Sequence, residues 1–427
     1  MRTKLTPRFW LALILFSLVG QVAWVVENMY LNVFIYKIFH ASAGDISAMV
    51  AASAVAATLT TVLMGALSDR LGRRRIFMCL GYILWGVSVF CFALLRVDRL
   101  GVLFPMAVSA AAVGVTLTIL LDCVMTFFGS SANDAAYNAW LTDNTDGTNR
   151  GAAEGINSMM PLVAILVVFG GFMAFDLDQE RSWTVIYSVI GAVVALVGVL
   201  GFFLVDDRRT VPSGTPYWQG VVYGFRASTV RENRALYLHL LGFILFNTSI
   251  QIFMPYLILY YEVSLGMENY VLIMAPAIVL AAAVTAFWGK VYDRRGFRPA
   301  ALAALAWLIL GYIVLYLFRA AAPVFIGSLL MMSGYLSGMA VFGARIRDLT
   351  PAGKAGMLQG VRIFSQVLVP GVVGPYIGKT VLRNAATILN SDGTSSFVPN
   401  ANIFLAALVP AAVVITLTAL GKRTRRT

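Results

Sequence analysis

Charge is what this sequence has least of. Of its 427 residues only 12% are Asp, Glu, Lys or Arg, about half the usual ~25% of a soluble domain. Hydrophobic residues make up 59%, and the mean hydropathy is +0.81. No water-soluble interior could hide that much apolar side chain, which excludes a cytosolic enzyme, a disordered chain and a disulfide scaffold together. Cysteine is scarce: Cys79, Cys91 and Cys123 all lie in apolar runs, without a CxxC pair, and read as small buried residues. The only histidines, His40 and His239, are too far apart in sequence to suggest a metal site. Also absent are GxxxxGK[ST], HExxH and a GxSxG with triad partners, so neither ATP hydrolysis nor catalysis has a motif to rest on. No enzyme activity, cofactor or metal is expected.

What is present is a series of long apolar runs. A helix needs about 20 apolar residues to cross a ~30 Å hydrocarbon core. Reading between charge clusters gives twelve candidates: 9–37, 46–67, 76–95, 107–141, 156–175, 182–205, 236–260, 270–289, 299–318, 323–344, 358–382 and 402–420. They do not alternate as the strands of a membrane barrel would. The first run, Phe9 to Phe39, is longer than a signal-peptide core of about 7–15 residues and is expected to stay on the mature protein. The weakest boundary is in the fourth run, where Gly129-Ser130-Ser131-Ala132-Asn133-Asp134 reads as loop or as helix.

Twelve spans place both termini on one side, and the distribution of basic residues says which. One side holds 24 of the 32 Lys and Arg, the other 7, and Arg362 lies within a span. Both termini are therefore expected in the cytoplasm of a multi-pass protein of the plasma (inner) membrane. The net charge of +12 then reflects topology and contact with anionic lipid, and no nucleic-acid partner is implied. A polar segment at 206–235, carrying Pro212, Gly214 and Pro216, divides the chain into six-helix bundles at 1–205 and 236–427.

The two halves share a motif. Gly65, Asp69, Arg70, Gly72 and Arg73 follow the second span; Gly289, Asp293, Arg294 and Gly296 follow the eighth, 224 residues later. Both read Gly-x-x-x-Asp-Arg-x-Gly. This doubled pattern resembles the loop signature of the major facilitator superfamily. The resemblance implies an all-α membrane protein of twelve helices in two pseudo-symmetric bundles, with the motif serving as a gate. A narrower likeness runs through Ala132-Asn133-Asp134-Ala135-Ala136-Tyr137-Asn138-Ala139-Trp140, then Asp143 and Arg150-Gly151, which resembles helix four and the next loop of glycoside–pentoside–hexuronide:cation symporters. In that family an acid at the position of Asp134 serves sugar and cation. Three further sodium-site carboxylates of the family fall here on Gln21, Ala57 and Thr61, so a proton is the expected coupling ion, with sodium the other candidate.

Polar residues inside spans carry the remaining signal, because an ionisable group at the bilayer centre costs about 2.5–3.5 kcal/mol and asks for a cavity or a partner. Glu27 is the clearest case. Gln21, Asn28 and Asn32 are spaced along one helical face, with Glu27 at its edge. Glu27 reads as a proton carrier or substrate acceptor, or as a structural carboxylate bonded to a neighbouring helix. Asp134 and Asn138, one turn apart, offer polar atoms to a sugar, and Tyr137 and Trp140 offer faces for stacking, unless this stretch is solvated loop. Asp122, twelve residues before Asp134, is expected to point away from it. Arg362, with Gln366 one turn on, would pair with Glu27 or Asp134, or else snorkel to the headgroups. Asn247 and Gln251 before Pro255 suit a broken gating helix or plain interhelical bonding.

The expectation is a monomeric secondary active transporter for a small polar solute, a sugar or glycoside, working by proton-coupled symport. An efflux antiporter for drugs or amphipathic metabolites is a second reading. A receptor of the same fold that binds without transporting is a third.

Overall fold

A computed structural model describes residues 5–107, 109–146, 149–206, 222–351, 355–390 and 393–420. Among them are twelve helices long and apolar enough to span a membrane: α1 Pro7–Phe39, α2 Ala43–Ser68, α3 Arg74–Phe92, α4 Ala110–Asn144, α5 Ala152–Phe172, α6 Glu180–Leu204, α7 Arg234–Ser264, α8 Val271–Arg295, α9 Phe297–Leu317, α10 Ala321–Leu349, α11 Gly360–Val381 and α12 Asn402–Leu420. Large apolar side chains such as Leu59, Val87, Leu196 and Val409 face outward, as they must where the surroundings are lipid. The fourth span runs further than its apolar run, through the polar stretch to Asn144. Ser130, Ser131 and Asn133 are buried helical residues, so this stretch is not solvated loop.

Local chemistry sets the helix ends. Ser42 and Asp45 form a reciprocal capping box before α2, satisfying two backbone donors that a helix start leaves open. Gly72 (φ 61°) and Gly296 (φ 80°) take left-handed conformations that only glycine adopts cheaply. Each lets the chain reverse sharply between spans, which accounts for the last glycine of both motif copies.

The chain divides into two compact units. The first is Met1–Tyr223 with Leu389–Ser396, the second Gly224–Ile388 with Phe397–Thr427. In the first, α3 lies along α6, α1 along α5, and α4 against α2 and α3. Gly86 and Gly191 make the α3–α6 approach possible: a Cβ on Gly86 would stand 2.5 Å from the Gly191 carbonyl oxygen, and one on Gly191 2.7 Å from that of Gly86. The end of this pair where α3 finishes and α6 begins is tied by Glu180, which accepts from the backbone N–H of Val97 at 2.8 Å and lies 3.5 Å from Arg96. In the second unit, α9 lies along α10, α8 along α10, and α7 against α11 and α12. Gly374 and Gly378 of α11 abut Gln251 and the Ile252 carbonyl of α7. Gly170 and Gly171 of α5, by contrast, face open space. A short hairpin of β1 (Thr387–Leu389) and β2 (Ser395–Phe397) precedes α12.

Candidate functional site

Among the described residues four spans depart from α-helical winding: π-helical segments occupy Val26–Tyr30 of α1, Ser130–Tyr137 of α4, Tyr260–Ser264 of α7 and Phe364–Leu368 of α11. Such wide turns cluster at functional sites, where they re-aim side chains. Three of them contain residues that stand out in the sequence: Glu27 and Asn28, Asp134 and Tyr137, and Gln366. The wide turn in α1 also breaks the polar stripe expected from even spacing. Glu27 and Asn32 are buried, whereas Asn28 is exposed and Gln21 half-buried. The amides of Asn28 and Asn32 donate back to their own helix, to the carbonyls of Trp24 and Asn28.

Glu27 anchors the site of the first unit. Its Oε1 accepts from Ser53 Oγ of α2 at 2.8 Å and from Thr126 Oγ1 of α4 at 2.9 Å, and the two hydroxyls lie 2.8 Å apart. Its Oε2 is buried with no partner. Asp122, one turn before Thr126, is 1% exposed, with Oδ1 likewise unpartnered. It has Glu27 as a charged neighbour. Asp134, half-buried, accepts from Ser130 Oγ at 3.0 Å and also lies within electrostatic reach of Glu27. A small cavity touches Glu27, Met125 and Tyr187, and the buried Tyr187 hydroxyl has no partner. No basic side chain pairs with any of these carboxyls among the described residues. Glu27 on α1 and Asp134 on α4 are thus held by hydroxyls, and the buried Asp122 on α4 has Glu27 as its charged neighbour.

Sequence reasoning misses Ser53, one serine in an alanine-rich helix with no periodic signal to mark it. Thr126 was discoverable, since Asp122 and Thr126 are one turn apart. The stacking platform expected from Tyr137 and Trp140 is corrected. Both rings are 2% exposed. Trp140 stacks on Phe9 with centroids 5.0 Å apart, and the Tyr137 hydroxyl donates to Asn157 Oδ1 at 2.8 Å. They hold α1, α4 and α5 together. Asn138 stays exposed, its amide N–H groups donating to the carbonyls of Asn133 and Asp134.

At the motif of the first unit the working cation is Arg74. It is buried, pairs with Asp143 at 3.1 Å and donates to Ser68 Oγ at 2.6 Å. Arg70 and Arg73 are exposed. Gly65 packs loosely on Ala135, and the side chains of Asp69 and Arg150 lie outside the described residues. In the second copy Gly289 faces open space, and Asp293 and Arg294 are exposed.

In the second unit, Asn247 is buried and donates to the Phe243 carbonyl, so it braces its own helix. The helix of α7 is interrupted at Met254–Tyr256, around Pro255, as the sequence suggests. Gln251 and Gln366 are half-buried on α7 and α11. Arg362 is half-buried, forms no ion pair among the described residues, and has Arg347 as a charged neighbour.

Residues 9–375 match the Major Facilitator Superfamily family model. The chain belongs to the major facilitator superfamily. Members of this superfamily are transporters, not enzymes, and this one is a multi-pass membrane transporter of a small-molecule substrate. No curated protein matches it in sequence. Among solved structures, a bacterial homolog of the human lysosomal transporter Spinster, in an inward-facing and occupied conformation, is similar at 15% identity and a TM-score of 0.72, covering 99% of this chain and 98% of that one. The nucleoside transporter NupG is similar at 12% identity and TM-score 0.69, covering 96% and 99%. The xylose transporter XylE from E. coli is similar at 13% and 0.66, covering 98% and 99%. At these identities the likeness is one of fold.

Proposed function

We propose that this superfamily member is a proton-coupled symporter for a polyhydroxylated solute, a sugar or glycoside, with Glu27 as the coupling acid. The observation that carries the reading is the set of buried carboxyls without a cation. Glu27, held by the Ser53 and Thr126 hydroxyls, and the buried Asp122 lie in a membrane-embedded unit, where a fixed charge without a counter-ion is expensive. A carboxyl so placed is stable when protonated and ionises when water or substrate reaches it, which is the cycle that symport requires. Asp134 and the exposed Asn138 supply hydrogen-bonding atoms, and Gln21, Gln251, Gln366 and Arg362 are the matching candidates for substrate contact. The sugar class draws on the likeness of 132–140 to glycoside–pentoside–hexuronide symporters, and on neighbours described as nucleoside and xylose transporters. The proton, rather than sodium, draws on Gln21, Ala57 and Thr61 standing where acids would be needed. The charge asymmetry supports a plasma (inner) membrane location with both termini cytoplasmic, and each unit can supply one wall of a pathway in a monomer.

The test is uptake in proteoliposomes. Glu27→Gln is expected to abolish accumulation driven by a pH gradient while leaving substrate exchange, because exchange needs no net proton movement. Accumulation retained in that variant would overturn the coupling role, and accumulation driven by sodium alone would overturn the ion.

A further inference from the structure

A large cavity lies at one end of the second unit, against the second copy of the motif. It measures about 1120 Å³ and is walled by the start of α7, the α8–α9 turn and the ends of α10 and α12, a size above the ~300–1,000 Å³ of small-ligand pockets. Its lining divides by chemistry. Arg294, Arg295, Arg298 and Arg345 supply four cations against the single carboxylate of Asp348, and that carboxylate already accepts from the Tyr292 hydroxyl at 2.5 Å. Arg345 is oriented by Phe297, whose ring lies 5.9 Å below the guanidinium, and by His239 Nε2, to which its Nε donates at 3.4 Å. Arg298 donates to the Ala419 carbonyl at the end of α12. Arg294 and Arg295 are exposed and form no ion pair among the described residues. Beside this basic end, Leu238, Leu241 and Leu417 line the same cavity and are each at least half exposed.

We infer that this cavity binds one anionic phospholipid, its phosphate among Arg295, Arg298 and Arg345 and its chains along Leu238, Leu241 and Leu417. The charge excess demands an anion, guanidinium forks suit phosphate oxygens, and the adjoining exposed leucines demand hydrocarbon. Basic pockets between spans beside a membrane surface bind lipid headgroups on this principle. Residues 421–427 include Lys422, Arg423, Arg425 and Arg426 and no acidic side chain, so they add cations near this end and no carboxylate. On the charge asymmetry the site opens to the inner leaflet, where anionic lipid is the natural occupant.

Native mass spectrometry of the full chain from micelles doped equally with phosphatidylglycerol and phosphatidylcholine tests this. Retention of one phosphatidylglycerol is expected, weakened about thirtyfold in Arg295→Gln/Arg345→Gln, since each cation near the surface contributes roughly fivefold. The Arg295→Lys/Arg345→Lys variant should keep most of the retention, and all three proteins should melt alike in phosphatidylcholine, which shows that they fold. Equal retention of the two lipids overturns the proposal. So does equal weakening by Arg226→Gln/Arg231→Gln, which alters exposed arginines outside the cavity. Displacement of the lipid by inorganic phosphate at matched concentration would mean a free-anion site without a role for the chains, and overturns it too.

Discussion

A single guanidinium shows how a residue's position decides its worth. Of the basic run Arg73-Arg74-Arg75, only Arg74 is buried, bridging Ser68 of α2 and Asp143 at the end of α4. Removing one partner of a buried pair strands the other, at a cost of about 3–5 kcal/mol. Asp143 retains 27% exposure of its side chain, which puts Arg74→Ala at the low end, about 3 kcal/mol. The double change Arg74→Ala/Asp143→Asn should recover part of that loss, and melting temperatures of the four proteins in one detergent measure the coupling. Arg73→Ala should shift melting by less than about 0.5 kcal/mol, as exposed substitutions do. The sequence places all three arginines in a loop motif and cannot tell them apart, because burial here depends on an acid 69 positions away. Glu27 shows the same limit. Its charge within an apolar run marks it at once, but its partners Ser53 and Thr126 come from two other helices.

Helix pairs are the next scale, and α3 with α6 is the tightest approach in the first unit. A Cβ on Gly86 would meet the Ala195 backbone nitrogen at 2.4 Å, and backbone cannot move aside like a side-chain tip. Gly86→Ala should therefore cost about 1–3 kcal/mol, the range for overpacking. Gly170→Ala on α5 meets nothing within 4 Å and should raise stability by about 0.5–1 kcal/mol through helix propensity alone. Melting of the two variants side by side separates packing from composition, which the sequence cannot do: both glycines sit in similar apolar runs. The end of the α3–α6 pair beside Val97 adds a pH dependence. Hydrogen bonds from Arg96, and then from the Arg99 backbone, hold the Asp98 carboxyl below the usual carboxylate range. A lowered value in the folded state means that the contribution is present above the unfolded value near 4 and is lost as pH falls through the lower folded one. Asp98→Asn should flatten the acid side of the melting profile below about pH 4, by a small amount because the pair is exposed.

At the scale of the whole molecule, twelve spans were legible because length, apolar content and basic residues between runs all encode membrane crossing. The doubled Gly-x-x-x-Asp-Arg-x-Gly supplied the superfamily, since the same turn has to be made in both halves. The winding of the helices was not legible. Gln21, Asn28 and Asn32 look like one face only if every turn is α-helical, and the wide turn at Val26–Tyr30 puts Asn28 outside and Glu27 inside. The orientation drawn from charge has its own test. An impermeant thiol reagent applied to intact cells should label a cysteine introduced at Asp178 and spare one introduced at Arg226. The reverse pattern would place the termini outside.

The wide turns also shift the phase of the spans that contain them. A π turn fits one more residue into a turn than an α turn does, so each acts as a one-residue insertion held inside a span. Beyond it, every side chain is rotated by about 100° from where unbroken α-helical counting puts it. A relative whose first span lacks the turn would match this chain residue for residue up to Val25, and be out of phase by one from Leu31 onward. Deleting one residue between Val26 and Tyr30 would restore the common phase. It would also swing either Glu27 or everything after it away from its hydroxyl partners, so this extra residue is among the most informative positions in the helix.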